Sequence, residues 1–535
     1  MKKVLLFTVL AFVCYISKGQ NLPNVSWQEV TIKDPQQSAG FIDVKDVNSD
    51  GKPEIIMSTL MEEGSASNQA TTKGAIRYFE YDNDIASPWT ENMVLPTDSN
   101  LPFINAPLSF DVDEDGYKDI LVLQGFLRTE GGSFQWLKGP DFNEMNAFTP
   151  ETEKGNTEFF WHEAEQFDLD NDGKLDIVTT CANVMNNNDY SLAEKHIEWY
   201  RHMGNGNFER YTICDSLGGV FIKLHDLDND GDEDIVVSQF FGPPVKASLV
   251  WLEQINAPSV NNSWQGEWIM HTIDATTGLG YYIEFYDIDA DGQEELVYGN
   301  HNNLDNNELV DGNGDPIQSG IFYFEIPADP ATSNQWQKTV IDENFPIDCY
   351  DFGNPESQGS PGIFSIGDVD GNWLPDIVLP GDGADNLFLL RQEPGGTFVR
   401  EVLGEGRMFG MAKIIDIDGN GINEVVATMH YFPDLWQIFS PPPGKLVLYI
   451  PSYTITNTQN LTKDDALVVF PNPAEDHIRV NIPEGEEMLR IRNQLGAIVI
   501  EENCNSSQKI INLSELTSGL YFIETEHYKS RFVKK

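Results

Sequence analysis

Basic side chains are scarce in this chain: 33 Lys and Arg stand against 85 Asp and Glu in 535 residues, a formal charge of -52. A surface that negative excludes recognition of nucleic acid or of anionic membrane through a basic patch. Cysteine is sparse too, five residues without C-x-x-C spacing, which excludes a zinc ribbon and a dense disulfide framework. A Cys181–Cys214 bridge within one repeat and free buried thiols both fit. Apart from the N-terminus, no run reaches the roughly 18 apolar residues that span a bilayer. Neither a nucleophile triad nor a phosphate-cradling glycine loop occurs.

The N-terminus, Met1-Lys-Lys followed by the apolar run from Val4 to Ile16, has the basic start and short hydrophobic stretch of a secretory signal, with small residues at Ser17 and Gly19. Cleavage after Gly19 removes Lys2, Lys3 and Lys18 and leaves 30 basic against 85 acidic residues, a net -55. A lipoprotein reading through Cys14 is disfavoured by the bulky Phe12-Val13 before it.

What the chain has in abundance is one pattern, Asp-x-Asp-x-Asp-Gly-x-x-Asp. Near copies begin at Asp46, Asp111, Asp168, Asp226, Asp287, Asp368 and Asp416, spaced 65, 57, 58, 61, 81 and 48 residues apart. A recurring unit of about 60 residues signals a repeat architecture. Oxygen-bearing side chains at positions 1, 3, 5 and 9 suit a hard cation that takes six to eight oxygens, namely Ca²⁺. The expected ligands are Asp46, Asn48, Asp50 and Glu54 in loop one, and Asp111, Asp113, Asp115 and Asp119 in loop two. Loop three supplies Asp168, Asp170, Asp172 and Asp176; loop four supplies Asp226, Asp228, Asp230 and Asp234. Loop five supplies Asp287, Asp289, Asp291 and Glu295, loop six Asp368, Asp370, Asn372 and Asp376, and loop seven Asp416, Asp418, Asn420 and Glu424. These 28 positions hold 25 carboxylates, about half of the net charge. Up to seven structural Ca²⁺ are expected, with weaker sites in loops six and seven. Loop six lacks the glycine at position 6, and an amide stands at position 5 in both. The glycine itself (Gly51, Gly116, Gly173, Gly231, Gly292) gives the turn the freedom it needs.

Around loop three the pattern reads as four short strands: Phe159 into Phe167, Asp176 to Cys181, His196 to Arg201 and Phe208 to Ile213. Four antiparallel strands per repeat make one blade of a β-propeller. The fold expected is therefore all-β: a seven-bladed propeller over residues 24–450, followed by a small β-sandwich at 466–535 after a Thr- and Asn-rich linker at 451–465. Val25 to Ile32 resembles a fourth strand without a loop before it, and the last repeat ends at Ile450 without a fourth strand. Residues 25–32 are thus expected to complete the last blade, which removes an open sheet edge.

At the seven loops the chain resembles the FG-GAP or VCBS repeat family, the integrin-α-like β-propellers, over roughly residues 24 to 450. The name-giving Phe-Gly/Gly-Ala-Pro element is poorly kept, Phe409-Gly-Met-Ala412 being its nearest approach. The resemblance implies a calcium-bound, usually secreted propeller found in adhesion, carbohydrate-binding or occasionally polysaccharide-cleaving proteins. The tail resembles the type A sorting domain of the type IX secretion system, through Phe470-Pro-Asn-Pro-Ala474, Asp476, Ile478, Gly496, Ile511 to Leu516, Ser518 to Phe522 and Lys534-Lys535. That implies the type IX machinery as a partner, outer-membrane export and a secreted or cell-surface location.

In a propeller the first strand of each blade lines the central channel and runs toward its loop. Residues six to nine positions before each loop then start on the opposite face: Ser38, Asn105, Trp161, His162, Tyr281, Tyr282, Ser360 and Arg407. The connections between second and third strands open on the same face and carry Arg128, Asn186 to Asn188, His301, Asn302, Asn303, His430, Tyr431 and Trp436. Aromatic rings among amides, Arg and His suit stacking and hydrogen bonding to an extracellular glycan, with Trp161, His162, Tyr281, Tyr282, Arg407, Tyr431 and Trp436 as ligand-binding residues. A surface protein is the other expected partner. The alternative is a polysaccharide lyase for uronic-acid polymers, its base and charge-neutralising groups drawn from His162, Tyr281, Tyr282, His301, Arg407 and His430. Few Lys and Arg fall on this face, which counts against an anionic substrate.

Overall fold

The computed structural model describes residues 24–534 except 37–38, 66–67, 100, 102, 126–131, 149–158, 184–193, 241–247, 260–262, 303–316, 333–334, 346–358, 373, 407–408, 430–443 and 455–466, and, nearer the C-terminus, 471–473, 475–476, 483–487, 494–497, 505–507, 515, 517–518 and 526–528. Val25–Ser452 form one compact unit, and Tyr453–Lys535 fall in a second. The signal segment 1–19, Ser38, Arg128, Asn186 to Asn188, Asn303, Arg407, His430, Tyr431 and Trp436 lie outside the described residues.

In the larger unit the described strands form seven four-stranded antiparallel sheets. The third is representative: Phe160–Phe167, Asp176–Asn183, Glu194–Gly204 and Asn207–Cys214, paired in chain order. The second strand of each sheet is buried on both faces, as in Asp176–Asn183 and Glu424–Met429. This is why its sequence is a β-branched run rather than an alternation. Fourth strands such as Glu267–Asp274 are exposed or half-buried over most of their length. The last sheet is assembled from both ends of the unit, with Asn24–Gln36 beside Gly444–Thr454.

Each sheet is tied to the next. Ser109 N donates to Asp43 Oδ2 (3.0 Å), Gln166 Nε2 to Asp111 O (2.9 Å), and Lys223 Nζ pairs with Glu165 (3.0 Å). Gly280 N donates to Gln239 O (3.1 Å), Gln392 Nε2 to Ile288 O (2.8 Å) and Asn423 Nδ2 to Asp368 O (2.9 Å). The seventh sheet meets the first where Tyr81 OH donates to Ile417 O (3.0 Å) and Ile42 N approaches Met411 Sδ (3.3 Å). These are the neighbour relations of a closed β-propeller. The first strands converge on a common core that includes Phe41, Phe221, Tyr282, Ile363 and Met411.

The second unit holds a three-stranded and a four-stranded sheet over Val468–Lys534. Ile478, Val480, Leu489, Ile491, Ile511, Ile523 and Phe532, drawn from both sheets, share one small core. Cys181, Cys214 and Cys504 are free thiols, so no Cys181–Cys214 bridge forms.

Candidate functional site

All seven acidic loops share one scaffold. The position 9 carboxylate (Glu54, Asp119, Asp176, Asp234, Glu295, Asp376, Glu424) accepts the backbone N–H of position 2 at 2.7 to 3.1 Å, which pulls the loop closed. Where that residue is Asp, its second oxygen accepts a further N–H from the third strand, of Gly139, His202, Gln254 or Gln392, at 2.7 to 2.9 Å. In six loops the position 6 glycine donates its N–H to the position 1 carboxylate; in loop six Gly371, at position 4, does so at 2.7 Å. Gly173 shows why glycine is needed. Its φ is 90°, and nothing lies within 4 Å of where a Cβ would stand, so conformation rather than space requires it. Position 4 is left-handed as well, at φ 57° to 65° in Ser49, Glu114, Asn171, Asn229 and Ala290. Gly371 and Gly419 stand at that position in the last two loops and Asn171 and Asn229 in loops three and four, residue types that favour it.

The loops can hold a cation. Burial pushes the position 9 carboxylates up to between about 6 and about 8, so their charged forms need compensation. Carboxylate oxygens of the position 1, 3, 5 or 9 residues converge within 4.8 Å of one another in loops one to four, among others. Asp46 Oδ1, Asp287 Oδ1 and Glu424 Oε1 are buried with no hydrogen-bond partner, a cost that a bound Ca²⁺ would remove.

A second constellation lies inside the ring. The residues five positions before each loop, Phe41, Ala106, Glu163, Phe221, Tyr282, Ile363 and Met411, all line one cavity of about 210 Å³. Three positions before the loops stand Asp43, Leu108, Glu165, Lys223, Glu284, Ser365 and Lys413, of which Asp43, Leu108, Glu165, Lys223 and Lys413 also line it. The fifth positions are buried, most of the third positions half-buried, and Lys45 at the lip exposed, so the cavity opens toward the acidic loops. Within it Lys223 pairs with Glu165, and Tyr282 OH donates to Glu284 Oε2 (2.9 Å). Glu163 is 7% exposed, and burial pushes its carboxyl up to about 8, with Glu165 adding to the shift and Lys223 opposing it. Among the described residues Lys413 forms no ion pair. Strand alternation marked this ring in the sequence, because charged residues recur three positions before five of the seven loops.

The residues expected on the opposite face fare differently. Trp161 and His162 are 1% and 3% exposed and do not line the cavity, so neither presents a ring to a ligand, whereas Tyr282, 5% exposed, faces the channel cavity instead of the expected face. Trp161 is core, its Nε1 donating to Glu198 Oε2 (3.3 Å) and its ring packing on Phe134. A register shift between Trp161 and Glu163 turns His162 inward, edge-on to Phe41 and Phe221 at 5.1 and 4.9 Å. Burial lowers its pKa to about 3, which leaves a neutral imidazole. Asn105 donates to Trp161 O (2.6 Å), Asn302 to Thr277 O (2.8 Å), and Ser360 is fully buried, so these three serve the fold. Tyr281 and His301 do meet, stacked 4.2 Å apart. His301 Nδ1 lies 2.8 Å from Pro361 O and Nε2 lies 3.7 Å from Asp382, while burial lowers its pKa to about 4.

Residues 168–237, which contain loops three and four, match the FG-GAP-like repeat family. Residues 468–535 match the secretion system C-terminal sorting domain. The chain thus carries an FG-GAP-like repeat and a secretion-system sorting domain. Integrin alpha-PS2 of Drosophila melanogaster is 26% identical over 277 residues, 47% of this chain, and the chain spans 18% of that relative. Among solved structures, BBS1N in complex with ARL6DN has a TM-score of 0.41 at 9% identity, with 80% of this chain and 96% of that one covered. The rhamnogalacturonan lyase YesW has a TM-score of 0.39 at 12% identity, covering 80% of this chain and 74% of its own. PorZ, a surface component of the type-IX secretion system of Porphyromonas gingivalis, has a TM-score of 0.24 at 10% identity over 93% and 74%. At these TM-scores the structural likenesses carry no weight for function. No helix among the described residues is long and apolar enough to cross a membrane.

Proposed function

We propose that this chain is a calcium-stabilised β-propeller, exported through the type IX secretion machinery to the cell surface or the medium, that binds carbohydrate at the loop-side mouth of its central channel. The observation that carries this reading is the 210 Å³ cavity fed by all seven first strands. Phe41, Phe221 and Tyr282 supply apolar faces, while Glu163, Glu165, Lys223 and Lys413 supply acceptors and donors around them. Such a mixture suits the hydroxyls and the apolar face of a sugar ring. The loop carboxylates at positions 1, 3, 5 and 9 would hold Ca²⁺, which fixes the turns and offsets their charge. Binding of the full mature chain to a glycan array, followed by titration of the best ligand, tests the site. Lys413→Ala should weaken binding about tenfold or more; an array without signal, or equal affinity in the variant, would overturn the assignment.

The polysaccharide-lyase reading keeps one geometric support, the stacked Tyr281 and His301 beside Asp382. Incubation with uronic-acid polysaccharides, read at the absorbance of unsaturated products, tests it. Turnover lost in His301→Ala would favour the enzyme.

A further inference from the structure

The seven loops share a scaffold but not an electrostatic setting, and the difference comes from one residue on the neighbouring strand. Strand pairing places a third-strand residue directly across from each position 9 carboxylate. The ladder runs Ile55↔Phe79, Ile235↔Leu252 and Leu296↔Phe324 in loops one, four and five, so the residues facing position 9 there are Glu80, Glu253 and Glu325. In loops two, three and six the pairs Ile120↔Leu137, Ile177↔Tyr200 and Ile377↔Leu390 bring Lys138, Arg201 and Arg391 to that place. Loop seven, from Val425↔Tyr449, faces the neutral Ile450.

These cations reach the residues that would ligate a metal. Lys138 Nζ bonds to Asp113 and lies 2.6 Å from Asp115. Arg201 contacts Asp170 at 2.5 Å and Asp172 at 3.1 Å, while Arg391 pairs with Glu393 and Glu401 at 3.0 Å and lies 3.8 Å from Asp370, the loosest of the three contacts. The acidic residues bring acceptors instead: Glu80 takes Asn48 Nδ2 at 3.3 Å, and Glu253 lies 2.5 Å from His271 Nε2. Buried ligand oxygens without a hydrogen-bond partner occur in both groups of loops, Asp46 Oδ1, Asp287 Oδ1 and Glu424 Oε1 in loops one, five and seven and Asp113 Oδ1 in loop two, so the division rests on the facing residue alone.

We propose that this third-strand residue sorts the loops: one, four, five and seven depend on Ca²⁺, whereas in two, three and six Lys138, Arg201 and Arg391 serve as resident cations and displace it. The proposal rests on the calcium reading above. Even at the dielectric constant of water, one unit charge about 7 Å from a divalent ion changes its affinity by about tenfold. Exchanging Glu for Arg therefore separates the two classes by about a hundredfold.

The test is calcium stoichiometry of the full mature chain, stripped with chelator and titrated, read by native mass spectrometry and calorimetry. Four tight sites are expected. Arg201→Ala should raise the count to five, and Glu253→Arg should lower it to three, with circular dichroism in saturating calcium checking that each variant is folded. Seven equivalent tight sites in the wild type, or an unchanged count in both variants, would overturn the sorting. A chain that binds no calcium at all would instead overturn the calcium reading on which it rests.

Discussion

Replacing Glu163 with Gln should stabilise this protein at alkaline pH and leave it unchanged in acid. The Glu163 carboxyl sits in the channel at 7% exposure, and burial raises its pKa from 4.5 to about 8. A raised folded-state pKa means that the folded chain binds the proton more tightly than the unfolded chain. The corresponding stability is fully present below pH 4.5 and is lost as pH rises through about 8. At 1.36 kcal/mol for each pKa unit, the loss across that interval is about 5 kcal/mol at most, and water entering the cavity reduces it. Gln keeps the shape of the protonated acid and does not titrate. Chemical denaturation of wild type and variant in saturating calcium, at pH 5 and pH 9, gives the difference directly, and titration of the other carboxylates cancels between the two. Equal stabilities at pH 9, or a variant less stable at both pH values, would refute the reasoning.

Two further outcomes are expected. Trp161→Ala should cost about 3–5 kcal/mol, the range for a large aromatic lost from a core, without changing glycan affinity of the folded fraction, since its ring is 1% exposed; a loss of affinity at unchanged stability would return Trp161 to the ligand site. A chain ending before residue 466 should remain behind the outer membrane, because residues 468–535 are the sorting domain; fractionation that finds it at the surface would contradict this.

Much of the architecture was legible because the repeat states it seven times. A loop glycine, oxygen ligands at odd spacings and a β-branched run after each loop specify a local turn and a buried strand, and local geometry is what a single sequence encodes well. The second left-handed position is only weakly marked, by Asn171, Asn229, Gly371 and Gly419, because Ser49, Glu114 and Ala290 carry no residue signature for it. The expected ligand face follows from counting residues back from each loop. That count presumes an unbroken strand alternation, and the register shift at Trp161/Glu163 breaks it, sending Trp161 and His162 into the core.

The sequence alone determined that the chain is all-β, that it repeats about an acidic, glycine-containing loop, and that a separate small β domain follows the repeats. Those properties depend on residue type and spacing along the chain. Only the tertiary structure decided which groups meet across blades: Glu163 beside Lys223 in the channel, and Arg201 or Glu253 across from chemically similar loops. Such encounters join residues from different strands or different repeats, and their chemistry is set by burial and by neighbours that no local pattern specifies.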